Sequence, residues 1–172
     1  MVSHREHQVR AEREVGVGIA CAVITISDTR TSADDRSGAT LCAALSAAGH
    51  RIAHYAIVKD EATQIADMIR QCAATGCTVI VTNGGTGIAR RDSTFEAIDA
   101  LLEKRLPGFG EIFRMLSYQE IGSAAMLSRA TAGVYGRSLI FCLPGSPGAV
   151  ALAIEKLIVP ELTHLVWETI RQ

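Results

Sequence analysis

The chain has almost no net charge: 17 Lys and Arg against 18 Asp and Glu give a formal charge of −1 over 172 residues. A broad nucleic-acid-binding surface needs a basic excess, so no nucleic-acid partner is expected. Nor is there an apolar run of the roughly 20 residues that a helical membrane span requires. The longest stretches, Val15 to Ile26 and Leu139 to Leu143, fall well short, and no membrane partner is expected. The opening Met1-Val2-Ser3-His4-Arg5-Glu6-His7 is too charged to lead into a signal peptide. The cysteines Cys21, Cys42, Cys72, Cys77 and Cys142 are odd in number and lack both a disulfide framework and zinc-ribbon spacing. They read as reduced thiols of a cytoplasmic protein. His4 and His7 stand in a polar stretch without further ligands in sequence, so no metal is expected there. Lysine is confined to Lys59, Lys104 and Lys156. Arginine carries the remaining basic charge, and its planar fork suits phosphate and carboxylate. There is no Walker A lysine, no dinucleotide fingerprint, no Gly-x-Ser-x-Gly elbow and no His-Glu-x-x-His pair, which removes the corresponding enzyme classes.

What is present is apolar material. Hydrophobic residues make up 48% of the chain, enough to bury a core and too many for a disordered chain. Residues 1–14 are polar without an apolar period and read as a flexible arm. Residues 15–172 read as a single domain. Within it, short β-branched runs alternate with helical patterns. Strands are expected over 18–26, 51–58, 78–82 and 138–143. Helices are expected over about 37–48, 61–74, 94–105, 111–116, 147–157 and 161–170, with Pro160 breaking the pattern between the last two. Ser93-Thr94-Phe95-Glu96 has the form of a capping box. Alternation of this kind predicts an α/β fold with a mostly parallel, doubly wound sheet. Ligands of such sheets bind beyond the carboxyl ends of the strands. Leu139 to Leu143 and the last two helices carry more apolar surface than a small monomer conceals easily, which predicts an oligomer.

Three polar loops leave strands at that edge. Gly84-Gly85-Thr86-Gly87 sits between an apolar strand and a helix start, followed by Arg90 and Arg91. It is either a flexible connector or a phosphate cradle, and its position and the arginines favour the cradle. Asp92, taken alone, is a helix-end carboxylate. Together with Asp60, at another strand exit, it begins to resemble a metal–phosphate site for Mg²⁺. Ser27 and Asp28 close the first strand, and Ser146 precedes Pro147; turn and cap chemistry accounts for all three. His50 and His54 read as structural.

Asn83-Gly84-Gly85-Thr86-Gly87-Ile88-Ala89-Arg90-Arg91-Asp92-Ser93-Thr94 resembles the signature of the molybdopterin-binding Mog/MoaB family of molybdenum cofactor biosynthesis. The resemblance continues through Pro107-Gly108-Phe109-Gly110-Glu111, Ser128-Arg129-Ala130 and Pro144-Gly145-Ser146-Pro147-Gly148. It covers the chain from about Val17 onward and is nearest the MoaB branch in the Phe109–Arg114 and Ile121–Gly133 stretches. Ser93 departs from the pattern, which has valine there, a change expected to touch packing more than chemistry. The resemblance implies a three-layer α/β/α sandwich assembled as a trimer or a dimer of trimers, with other proteins of the pathway as further partners. It implies ATP and molybdopterin as substrates, Mg²⁺ as cofactor, and adenylyl transfer releasing pyrophosphate. Asp60 and Asp92 then become the catalytic and metal-binding residues. Gly84, Gly85, Thr86, Gly87, Arg91, Pro144 and Gly145 hold nucleotide phosphates, while Ser27, Asp28, Ser37, Gly38, Ser117, Ser128 and Ser146 line the pterin side. The alternatives are a molybdopterin-binding protein without catalysis and an assembly scaffold of the same pathway.

Overall fold

The central strands are apolar on both faces, and this decides the architecture. In the computed structural model, which describes residues 4–170, β1 (Ala20–Ile26), β3 (Val79–Asn83) and β6 (Ser138–Leu143) are buried almost throughout. Strands covered on both sides read as continuous apolar runs. β2 (Arg51–Val58) alternates exposed and half-buried positions because it forms one edge. The six-stranded sheet has the order β2-β1-β3-β6-β5-β4. β2, β1, β3 and β6 are parallel. β5 (Thr131–Tyr135) and β4 (Lys104–Arg105) close the other edge as antiparallel pairs.

Successive side chains of the central strands point to opposite faces, so two cores form. Cys21, Val23, Val79, Val81, Leu139 and Phe141 meet α2 (Arg36–Ala47), α5 (Pro107–Ile121), α6 (Pro147–Ala153) and α7 (Val159–Ile170), through Leu41, Leu45, Phe113, Leu152 and Leu162. Ala22, Ile24, Ile80 and Ile140 meet α3 (Ala62–Ala74) and α4 (Thr94–Asp99), through Ile65, Ile69 and Ile98. The result is the expected sandwich of helices on both faces of a mainly parallel sheet.

Several local expectations are corrected. Residues 4–14 are helical: α1 (His4–Glu14) lies against α7, where Trp167 Nε1 donates to Glu14 Oε2 at 2.6 Å and Gln8 donates to Glu161 at 2.9 Å. The apolar partners come from α7, so the periodicity of the segment alone carried no signal. The helix expected to reach Arg105 stops at Asp99, because Lys104 and Arg105 are taken up by pairing with β5. The capping box does not form: Ser93 makes no side-chain cap bond, and Glu96 is engaged by Arg129 instead. The helix expected at 111–116 runs from Pro107 to Ile121, with Pro107 in the first turn, where its missing N–H costs nothing. Pro160 breaks nothing. A π-helical turn, Ile154–Ile158, joins α6 to α7, and Pro160 lies at the second position of α7, in its first turn. Leu139 to Leu143 and the inner faces of α6 and α7 are buried in the chain's own core, so they offer no surplus apolar surface. Exposed apolar side chains gather elsewhere, at Ile112, Met115, Tyr118 and Ile121 of α5 and at Met126 and Leu127 of the 3₁₀ turn that follows. Among the described residues no helix is long and apolar enough to cross a membrane.

Candidate functional site

The parallel strands deliver four loops to one edge, because β1, β2, β3 and β6 all point the same way. β1 leads to Ser27 and Asp28, β2 to Lys59 and Asp60, β3 to the glycine loop, and β6 to Pro144–Ser146. Between the last two lies a cleft of about 590 Å³ lined by Thr25, Asn83, Gly84–Gly87, Leu127 and Pro144–Pro147. A neighbouring cleft of about 460 Å³ is lined by Ser27, Asp28, Tyr55 and Lys59. Arg30 borders both.

The glycine loop has its shape for steric reasons. Gly84 has φ of 101°, and a Cβ there would collide with the carbonyl oxygen of Ile26. Gly85 has φ of 62°, and a Cβ would collide with Thr94 Oγ1 and the Asp60 carboxylate. Both conformations favour glycine. The N–H of Gly84 donates to Leu143 O at 3.1 Å, fastening the loop to β6. Among the described residues, the N–H groups of Gly85, Thr86 and Gly87 have no protein acceptor. Arg129 holds the loop from outside. Its Nε donates to Thr86 O at 2.8 Å, while its other nitrogens grip Glu96 at 2.6 and 3.0 Å. The same guanidinium lies 4.7 Å over the Phe95 ring, and it holds the Glu96 carboxyl below its ordinary range.

Asp60 is 8% exposed. Its Oδ1 accepts hydrogen bonds from Ser93 N at 3.2 Å, Ser93 Oγ at 3.0 Å and Thr94 Oγ1 at 3.2 Å. The serine that departs from the family pattern therefore contacts the carboxylate directly, although the change was expected to touch packing more than chemistry. Asp92 Oδ2 accepts from Ala89 N at 3.0 Å, closing the turn ahead of α4. Each carboxylate keeps a second oxygen without a protein donor: Asp60 Oδ2 lies against Gly85, whereas Asp92 meets Gly87 most closely through the bonded Oδ2 and leaves Oδ1 further out. Two hard oxygen donors beside backbone N–H groups fit Mg²⁺ with phosphate. Asp28 Oδ2 accepts from Arg91 Nε at 2.8 Å, and Arg91 also reaches Glu61 at 3.2 Å. The bond from Arg91 is the main reason the Asp28 carboxyl sits below its usual range.

Beneath the loops runs a polar chain whose inner members, Thr25, Asp35 and Asn83, are buried. Asn83 Nδ2 donates to Thr25 Oγ1 at 2.9 Å, and Thr25 Oγ1 donates to Asp35 Oδ2 at 2.6 Å. Tyr55 OH donates to the same oxygen at 2.8 Å, and Asp35 Oδ1 caps α2 through Gly38 N at 2.9 Å. Burial, then the Asp35 carboxylate, pushes the Tyr55 hydroxyl up to about 12. None of these four residues was given a role from sequence. Asp35, three positions ahead of Gly38 at a helix start, had the form of an N-cap that could have marked it. Arg129 was visible only inside the Ser128-Arg129-Ala130 motif.

The structure thus gathers Asp28, Asp60, Gly84, Gly85, Thr86, Gly87, Arg91, Asp92, Pro144, Gly145 and Ser146 at one edge. Ser27 sits there too, its Oγ accepting from Thr29 and Arg30 N–H groups at 3.3 and 3.1 Å. Ser37 and Gly38 are buried under it, and Ser37 Oγ donates to Gly145 O at 2.9 Å. Ser117 is inside α5 with its hydroxyl on Phe113 O. Ser128 ends the 3₁₀ turn, next to Leu127 of the cleft wall. Neither of these two serines borders the cleft in a single chain.

Fold and edge define a doubly wound α/β protein with its polar loops collected around a glycine-rich turn. Residues 22–164 match the family described as "Probable molybdopterin binding domain". The chain is 49% identical over 177 residues to molybdenum cofactor biosynthesis protein B of Bacillus cereus, spanning 99% of this chain and 100% of that one. It is 55% identical over 156 residues to the protein of the same name from Bacillus subtilis, spanning 87% and 89%. The crystal structure of a molybdenum cofactor biosynthesis protein B superposes with a TM-score of 0.88 at 51% identity, over 90% of this chain and 98% of that one. The tungsten cofactor synthesizing protein MoaB of Pyrococcus furiosus superposes at 0.80 with 39% identity, over 88% and 97%. The chain belongs to the molybdopterin-binding family of molybdenum cofactor biosynthesis proteins.

Proposed function

We propose that the chain binds molybdopterin and Mg-ATP at this edge and transfers the adenylyl group. An oxygen of the terminal phosphate of molybdopterin bonds to the α-phosphorus of ATP, the bond to the β-phosphate oxygen breaks, and pyrophosphate leaves. A phosphate monoester is largely dianionic near neutral pH, so no side-chain nucleophile is needed. The demand is for orientation and charge neutralisation. The observation that carries this reading is the placement of Asp60 and Asp92, each with an oxygen free of protein donors, against a glycine loop with three N–H groups unused.

In this reading the N–H groups of Gly85, Thr86 and Gly87 hold the nucleotide phosphates, with Gly84 setting the turn. Pro144 and Gly145 form the facing wall. Asp60 and Asp92 hold Mg²⁺, which supplies countercharge to the phosphates. Ser93 and Thr94 fix the rotamer of Asp60 through their bonds to Oδ1. Ser146, Ser27 and Asp28 face the pterin side, where Arg30 borders both clefts. Arg91 serves the phosphates by exchanging Asp28 for them. The exposed apolar face of α5 and the 3₁₀ turn supports assembly as a trimer or a dimer of trimers, in which Ser128 approaches a neighbour's cleft, while Ser117, buried in α5, supports that face from within. Free thiols at all five cysteines agree with a reducing, cytoplasmic setting.

The test is a turnover assay with molybdopterin, ATP and Mg²⁺, following adenylylated molybdopterin and pyrophosphate. Formation of both supports the reading. Tight molybdopterin binding with no product establishes the non-catalytic binding protein instead.

A further inference from the structure

Helix α1 brings one ligand-type side chain to two others that lie far from it in sequence. His164 and Glu168 are four residues apart on α7, hence on one face, and His7 reaches them from α1. His7 Nδ1 lies 3.6 Å and His164 Nε2 3.7 Å from Glu168 Oε1, and the three ligand atoms all fall within 4.8 Å of one another. Both spacings exceed a good hydrogen bond. They are close to the ~3.4 Å that separates ligands in a tetrahedral site with bonds of about 2.0–2.1 Å.

The surroundings orient the ligands. Glu161 Oε2 lies 3.1 Å from His164 Nδ1. A carboxylate there keeps the proton on Nδ1 and leaves Nε2 as the donor atom, the arrangement that accompanies metal-binding histidines. Trp167 packs edge-on to the His7 ring at 5.7 Å and stacks with the His164 ring at 6.5 Å, restricting both. The three side chains are 20–34% exposed, open enough for an ion and a water to enter. None of them borders either cleft at the carboxyl edge.

We propose that His7, His164 and Glu168 form a binding site for a borderline divalent transition-metal ion, with Zn²⁺ as its representative. Two imidazoles and one carboxylate, with a water in the fourth position, suit that class of ion. The bound ion staples α1 to α7 and is separate from the nucleotide chemistry.

The experiment titrates tag-free, metal-stripped full chain with ZnCl₂ by calorimetry, in millimolar Mg²⁺ to occupy carboxylate sites. One Zn²⁺ per chain is expected. His7→Ala, which removes no core side chain, weakens binding more than tenfold, as does His164→Ala. Glu161→Gln weakens it by roughly 10- to 100-fold at unchanged stoichiometry. Zn²⁺ also slows tryptic cleavage at Arg10 and Arg13 in the parent chain and not in His7→Ala. No binding, or equal affinity in the parent and His7→Ala, overturns the site. Binding without protection of α1 overturns the staple.

Discussion

Arg129 donates to the carbonyl oxygen of Thr86 at 2.8 Å and so fixes the glycine loop from a segment 43 residues further along the chain. The same side chain makes a two-pronged pair with Glu96 of α4. One guanidinium thus joins the loop to the helix that follows it. Arg129→Lys keeps the charge and loses the fork. A nucleotide affinity about tenfold weaker is expected, with no more than about 1 kcal/mol lost in stability because Glu96 is largely exposed. Calorimetric titration with ATP alongside thermal melting checks both numbers, and unchanged affinity would remove Arg129 from the site.

The carboxylates separate structure from chemistry. Asp92→Asn retains an oxygen for the Ala89 N–H and should cost at most about 1 kcal/mol. Asp60→Asn retains an acceptor for Ser93 and Thr94. Adenylylation should nevertheless fall by about 10²–10³-fold in both, as charge stabilisation is lost. Single-turnover formation of adenylylated molybdopterin is the measurement. Near-normal rates in both variants would sink the catalytic roles.

Substitutions in the glycine loop differ in kind. Gly85→Val meets Thr94 Oγ1 and Asp60 and strains a positive φ, so it should abolish ATP binding and lower stability by about 1–3 kcal/mol. Gly87→Ala meets only the Asp92 carboxylate, at 2.5 Å, which can rotate away. Its fold should survive while nucleotide affinity drops. If Gly87→Ala binds ATP normally, the loop does not close on phosphate at that position.

The Asp28–Arg91 pair carries a pH signature. Arg91 lowers the Asp28 carboxyl from its ordinary 3.8. A depressed acid supports the fold above its unfolded value and loses that support as pH falls through the folded value. The tie between the two loops should therefore persist near pH 4 and open only below it. Carboxyl NMR titration should show Asp28 returning toward 3.8 in Arg91→Ala, and an unchanged midpoint would contradict the pairing.

Assembly is tested on α5. Met115 and Tyr118 are 55% and 63% exposed. Light scattering should give three or six times the 18.3 kDa chain mass. Tyr118→Asp should lower that mass while leaving the melting of the core nearly intact. A monomeric parent chain at micromolar concentration would end the proposal.

The sequence by itself determined the elements with strong local signals. Short apolar runs, β-branched in β1 and β3, marked β1, β3 and β6, and the Ile65, Met68, Ile69, Cys72 spacing marked α3. Alternation of the two types set the parallel sheet, and strand polarity put Asp28, Asp60, Gly84 and Pro144 at one edge. Tertiary structure decided whatever depended on a partner remote in the chain. α1 is helical against Trp167, which no periodicity in residues 4–14 discloses. Lys104 and Arg105 are a strand only because Gly133 and Val134 lie beside them. Ser93 bonds Asp60 across 33 residues instead of capping its own helix. Thr25, Asp35, Tyr55 and Asn83 become one hydrogen-bonded network only once β1, β2 and β3 stand side by side. Local pattern reports which face a residue must bury; the identity of its polar partner is fixed by which strands become neighbours.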